Sequence, residues 1–143
     1  MHLKFTSLIH APVARVWAFH ERPDAIALLT PGFLAPQVER LQGNGLEAGT
    51  ELIVTTGIGI RSRWHARHIE CVPGRLFVDI QVAGPMRAWR HEHHFESVDD
   101  KTQLSDVIDC EPPLGWLGAI GARVAMTALF AYRHRMTRRH CEQ

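Results

Sequence analysis

The sequence lacks most of the features that announce a function. Its 3 cysteines, Cys71, Cys110 and Cys141, are widely spaced and form no Cys-x-x-Cys pair. That argues against a disulfide framework or a structural zinc site, and fits a reducing cytoplasm. With 16 Lys+Arg against 15 Asp+Glu the net charge is +1, too little for a nucleic-acid footprint over the surface. Met1 to Ser7 hold no uninterrupted apolar core and no small-residue cleavage site, so they do not read as a signal peptide. Only Leu114 to Tyr132 approaches membrane-span length, and Arg123 in its middle makes a core helix the better reading. Ser7, Ser62, Ser97 and Ser105 lie outside any Gly-x-Ser-x-Gly elbow, and neither a phosphate loop nor a His-Glu-x-x-His motif is present. Gly43-x-Gly45 lacks the third glycine and the following helix of a dinucleotide loop. Without repeats, linkers or low-complexity segments, residues 1–143 read as one domain large enough to bury a core.

Histidine, in contrast, is plentiful, with 10 residues. The densest stretch runs from Arg87 to Glu96. Alternate side chains of a strand point to opposite faces, which puts Trp89, His91, His93 and Phe95 on one side and Arg90, Glu92, His94 and Glu96 on the other. Imidazoles between aromatic rings on an inner face have the composition of a small-molecule pocket.

Around this stretch the punctuation is regular. Leu3, Phe5, Ser7 and Ile9 alternate in a first strand. Pro12 suits a helix start, and Val13, Val16, Trp17 and His20 follow at helical spacing up to Arg22-Pro23. Asp24 is positioned to cap a second short helix, Ala25 to Leu29. Gly43-Asn44-Gly45, Gly57-Ile58-Gly59, Pro73-Gly74, Gly84-Pro85 and Asp99-Asp100 then separate about six β-rich runs. After Pro112-Pro113, Leu117, Ile120, Val124, Ala128 and Ala131 recur at helical steps, ending in Arg133, Arg135, Arg138 and Arg139. The pattern predicts an α+β fold: a seven-stranded curved antiparallel sheet, with two short helices after strand 1, wrapped around a long C-terminal helix. One helix cannot fill the hollow of such a sheet, so a cavity is expected.

The run Ser7 to Trp17, the segment Phe19-His20-Glu21-Arg22-Pro23-Asp24 and the Trp89-x-His91-x-His93-x-Phe95 strand resemble the SRPBCC (START-type, helix-grip) superfamily. Within it they resemble the bacterial polyketide cyclase/dehydrase-like ligand-binding branch. The resemblance spans essentially the whole chain. It implies a helix-grip fold and an apolar ligand held between the sheet and the C-terminal helix.

Register decides which residues meet. A two-residue Asp99-Asp100 hairpin sets Phe95 against Leu104, His93 against Asp106 and His91 against Ile108. Across Gly84-Pro85 two registers are open. A tight turn pairs Trp89 with Ile80 and His91 with Val78, leaving Asp79 opposite Arg90 on the wet face; an odd-length loop sends Asp79 and Gln81 inward. The strand from Arg61 to Val72 is open too, since Trp64 and Ile69 share a face only through a bulge.

The expected ligand-binding set is Trp17, Trp64, Val78, Ile80, Trp89, His91, His93, Phe95, Leu104, Ile108, Val124 and Ala128. His91, His93 and Asp106 are the candidate catalytic groups. The tryptophans read equally as core packing, and the histidines as buried groups satisfied by Asp106 or water. His91-x-His93 on a strand has the spacing of a metal half-site, both rings pointing the same way. No third donor is fixed by spacing, so neither metal nor cofactor is expected. The expected function is carriage of a lipid, polyketide-like aromatic or isoprenoid; the alternative is a polyketide cyclase/dehydratase working by acid–base chemistry. The partner expected is that small apolar ligand, with no nucleic acid and no transmembrane segment. The basic C-terminus reads as a solvated helix end or a weak contact with anionic lipid, and a homodimer stays open.

Overall fold

The computed structural model describes residues 1–143. The chain runs β1 (His2–Ile9), α1 (Val13–Glu21), α2 (Ala25–Leu28), a 3₁₀ turn at Gly32–Leu34, and then β2 (Gln37–Gln42), β3 (Glu51–Thr56), β4 (Ser62–Val72), β5 (Leu76–Ala83), β6 (Ala88–Val98), β7 (Lys101–Glu111) and α3 (Gly115–Cys141). All seven strands form one antiparallel sheet in the order β1-β7-β6-β5-β4-β3-β2. This is the expected helix-grip fold, and no helix is long and apolar enough to cross a membrane.

Local chemistry explains the boundaries. α1 stops where Arg22 takes an extended conformation before Pro23, as the residue before proline must. Asp24 precedes α2 but makes no capping bond; its carboxylate accepts both hydrogen bonds from the Arg22 guanidinium instead. Gly118 allows the first turns of α3 to close on the preceding loop, because a Cβ there would lie 1.6 Å from the Pro113 carbonyl oxygen.

The β6–β7 register is the expected one, with Phe95 opposite Leu104, His93 opposite Asp106 and His91 opposite Ile108. Across β5–β6 the odd-length loop is realised: Asp79 pairs with His91, and Ile80 with Arg90. The Gln81 amide holds that loop, donating to the Met86 carbonyl at 2.7 Å and accepting from the Met86 N–H at 3.1 Å. The tight-turn register is therefore wrong, and Asp79 faces inward. Ile80, and the fully buried Val78 opposite Glu92, lie on the outer face, where Arg90 bonds Glu92 rather than Asp79. In β4 the pairing shifts between His65 and Ala66 and again between His68 and Glu70. Trp64, Ala66 and His68 thereby turn to the hollow while Ile69 stays exposed.

Two apolar clusters close the ends of the hollow. One gathers Ile9, Val16, Trp17, Phe19, Phe77, Phe95 and Leu104 under α1; the other gathers Leu3, Trp89, Ile108, Cys110 and Phe130. Trp17 meets Phe95 edge-on at 5.0 Å, and Phe130 stacks on Phe5 at 4.9 Å. These are favourable aromatic arrangements.

Candidate functional site

Between the two clusters the inner face changes character. Along β6 the sequence of inward residues is Trp89, His91, His93, Phe95, so two imidazoles separate two aromatic anchors. On the neighbouring strands Asp79 and Asp106 stand at the same level, and α3 brings His134 down from above. His91 Nε2 lies 2.7 Å and His93 Nδ1 3.0 Å from Asp106 Oδ1. His93 Nε2 lies 2.9 Å from Asp79 Oδ2, and His91 Nδ1 3.5 Å from the same oxygen. The second Asp106 oxygen takes His134 Nε2 at 2.6 Å, and His134 Nδ1 reaches Ser7 Oγ at 2.8 Å. Trp89 Nε1 donates to Asp79 Oδ1 at 3.3 Å. Three imidazoles and two carboxylates thus form one buried network across three strands and a helix.

Burying two carboxylates is costly unless donors surround them. Burial pushes the Asp79 and Asp106 pKa values up, but the imidazoles outweigh it. Asp79 is held down at about 2, chiefly by His93 and His91, and Asp106 well below the usual carboxylate range by His134, His91 and His93. For His93 burial works downward, yet the bonds to Asp106 and Asp79 raise its pKa overall; His91 is lowered by burial and by the His93 charge.

The network opens on a cavity of about 850 Å³, within the range of small-molecule sites. Of the residues expected from sequence to bind ligand, Trp64, Trp89, His91, His93 and Leu104 line it, as does Asp106. Trp17 and Phe95 belong to the cluster under α1, and Ile108 to the opposite cluster. Val78 and Ile80 lie on the outer face. Val124 and Ala128 point to solvent, because α3 turns a different face inward from the apolar stripe. Its inward residues are Met126, Leu129, Arg133, His134 and Thr137. Arg133 is accordingly no solvated helix end: its Nε donates to the Leu29 carbonyl at 3.3 Å, and burial lowers its pKa.

Sequence reasoning missed Asp79, His134, Arg133, His20 and His68 as wall residues. Asp79 was tied to a loop length that sequence leaves free. His134 was legible only as a member of the Phe130, His134, Thr137, Cys141 spacing, a stripe less apolar than its competitor. His68 Nδ1 is a buried ring nitrogen with no hydrogen-bond partner in the protein. His20 lies against Phe95 at 5.1 Å and donates from Nδ1 to the Val16 carbonyl; burial lowers its pKa to about 4.

The profile of a family described as Domain of unknown function (DUF8410) matches residues 7–141. No curated protein sequence matches the chain. Among solved structures it is similar to part of a nucleoside-diphosphate sugar epimerase from Corynebacterium glutamicum, with TM-score 0.71 and 26% identity. That match covers 96% of this chain and 28% of the other, so the chain spans less than a third of that protein. It is also similar to norcoclaurine synthase from Thalictrum flavum, in complex with dopamine and hydroxybenzaldehyde (TM-score 0.73, 14% identity, 97% of this chain and 84% of that one). A third likeness is to the di-domain ARO/CYC StfQ of the steffimycin biosynthetic pathway (TM-score 0.76, 14% identity, 99% and 50%).

Proposed function

We propose that this chain, which belongs to the DUF8410 family and has the SRPBCC fold, binds an apolar or amphipathic small molecule between its sheet and α3. The polar group of that molecule turns toward the His/Asp network. One observation carries the reading: a cavity of about 850 Å³ with apolar ends and a band of buried imidazoles and carboxylates across its middle. A carrier of pure hydrocarbon gains nothing from burying two carboxylates, whereas a ligand carbonyl or hydroxyl does gain from donors held in fixed positions. Trp64, Trp89 and Leu104 would supply apolar wall, and His68 Nδ1 an unspent polar contact. Native mass spectrometry of the purified, untagged protein, followed by organic extraction, tests the reading. A bound organic molecule carrying an oxygen function is the expected result. A protein that holds none, and takes up none from a panel of lipids, isoprenoids and aromatic polyketides, would refute it.

A second reading, a cyclase or dehydratase, is favoured by one further feature. His91 and His93 each span the two carboxylates, and their pKa values are moved in opposite directions, the arrangement that general acid–base chemistry requires. That two of the similar structures are a synthase and an aromatase/cyclase agrees with it. An enzyme of this kind has a bell-shaped pH–rate profile that His91→Ala or His93→Ala abolishes; a carrier changes only in affinity.

A further inference from the structure

His91 and His93 on one strand offer two donors of the kind a metal site uses, and Asp79 on the neighbouring strand offers a third. Oδ2 of Asp79 lies 2.9 Å from His93 Nε2 and 3.5 Å from His91 Nδ1, and the donor atoms of the three residues all lie within 4.8 Å of one another. Two ligands bound to one ion at about 2.0–2.2 Å are about 2.8–3.6 Å apart at octahedral or tetrahedral angles. The two spacings to Asp79 match those edges.

The outer atoms of the same three side chains are also held. His91 Nε2 and His93 Nδ1 both meet Asp106 Oδ1, at 2.7 and 3.0 Å. Asp79 Oδ1 accepts from Trp89 Nε1 at 3.3 Å. Asp106 in turn is fastened by His134 at 2.6 Å. Metal-binding imidazoles have their second nitrogen fixed in this way, by a carboxylate that sets ring orientation. Each of the three therefore has one donor atom beside those of the other two and its second anchored elsewhere, on neighbouring strands of a rigid sheet. The three residues line the cavity, so further coordination positions face the space a ligand would fill.

We propose that Asp79, His91 and His93 bind one divalent transition-metal ion of the zinc/iron(II) class, with Asp106 as the carboxylate that orients both imidazoles. The inference deepens the proposed ligand-binding reading, because an ion at this point would polarise a carbonyl or hydroxyl in the cavity.

The test uses the metal alone. Untagged protein, stripped with a chelator, is titrated with cobalt(II) and then zinc(II), following visible d–d absorption and calorimetric heat. The expected result is saturation at one equivalent, with zinc displacing cobalt. His93→Gln and Asp79→Asn, each shown to be folded by circular dichroism, should lose saturable binding, and Asp106→Asn should weaken it about 10- to 100-fold. His94→Gln, on the outer face of the same strand, should bind as wild type does. The proposal is overturned if wild type shows no saturable binding, if folded His93→Gln keeps full affinity, or if His94→Gln loses as much. An organic molecule extracted from a protein that takes up no metal defeats this inference and leaves the ligand reading standing. Metal uptake by a protein that holds no organic molecule does the reverse.

Discussion

Over Gly115–Val124, α3 presents Trp116, Leu117, Ile120 and Val124 at 56–72% exposure; over Phe130–Cys141 it buries Phe130, His134, Thr137 and Cys141 to 5% or less. The more apolar half is the wetter half. The first α3 residue to line the cavity is Met126, and from there on the sheet below offers specific partners: Phe5 for Phe130, and Asp106 with Ser7 for His134. Side chains on this helix are buried according to what lies opposite them. A buried ionised Asp106 without a donor would cost more than leaving a leucine or valine in water, since exposed apolar side chains are ordinary on protein surfaces.

The largest test of that contrast is Phe130→Ala. Phe130 stacks on Phe5 and meets His91 edge-on at 5.2 Å, so its truncation should cost about 3–5 kcal/mol in chemical denaturation. A loss below about 1 kcal/mol would mean that the C-terminal half of α3 is not anchored as described.

Asp106→Asn comes next. It keeps the shape and removes the charge that His91, His93 and His134 share, and should cost about 1–3 kcal/mol. In the Asp106→Asn background His134→Leu should cost measurably less than in wild type, while Val124→Ser should cost the same in both. Equal costs for His134→Leu in the two backgrounds would remove the network from the account of how α3 is held.

The docking of this half on α1, where Phe19 stacks on His140 at 5.2 Å, also predicts a pH dependence through His20. A histidine whose folded pKa is about 4, against an ordinary value of 6.5, binds its proton less readily folded than unfolded. Its contribution to stability is therefore complete above pH 6.5 and is lost as pH falls toward 4, by up to about 1.4 kcal/mol per pH unit. His20→Gln should reduce the slope of the denaturation midpoint across that window, and an undiminished slope would assign the effect elsewhere.

The smallest effects belong to the exposed half. Leu117→Ser, Ile120→Ser and Val124→Ser should each change stability by no more than about 0.5 kcal/mol. Losses well above that would show that this stripe is covered in solution and erase the contrast.

Much of this architecture was legible in the sequence, and the reasons are local. Strand periodicity and turn residues depend on neighbours a few positions away, so the seven strands, the long helix and the pairing of His93 with Asp106 across Asp99-Asp100 could all be read from residue order. The same alternation put His91 and His93 on one face between Trp89 and Phe95. Which way Asp79 points was a different matter. It turns on whether the Gly84-Pro85 loop is even or odd, and that is decided by Gln81 closing on Met86 and by the inward face offering Asp79 two donors, Trp89 and His93. The rotation of α3 likewise depends on Asp106 and Phe5, which lie far from it in sequence. Pattern alone determined the elements and the imidazole-bearing face; tertiary structure determined which carboxylates and which helix face meet those imidazoles, because a buried charge selects its partners through space rather than along the chain.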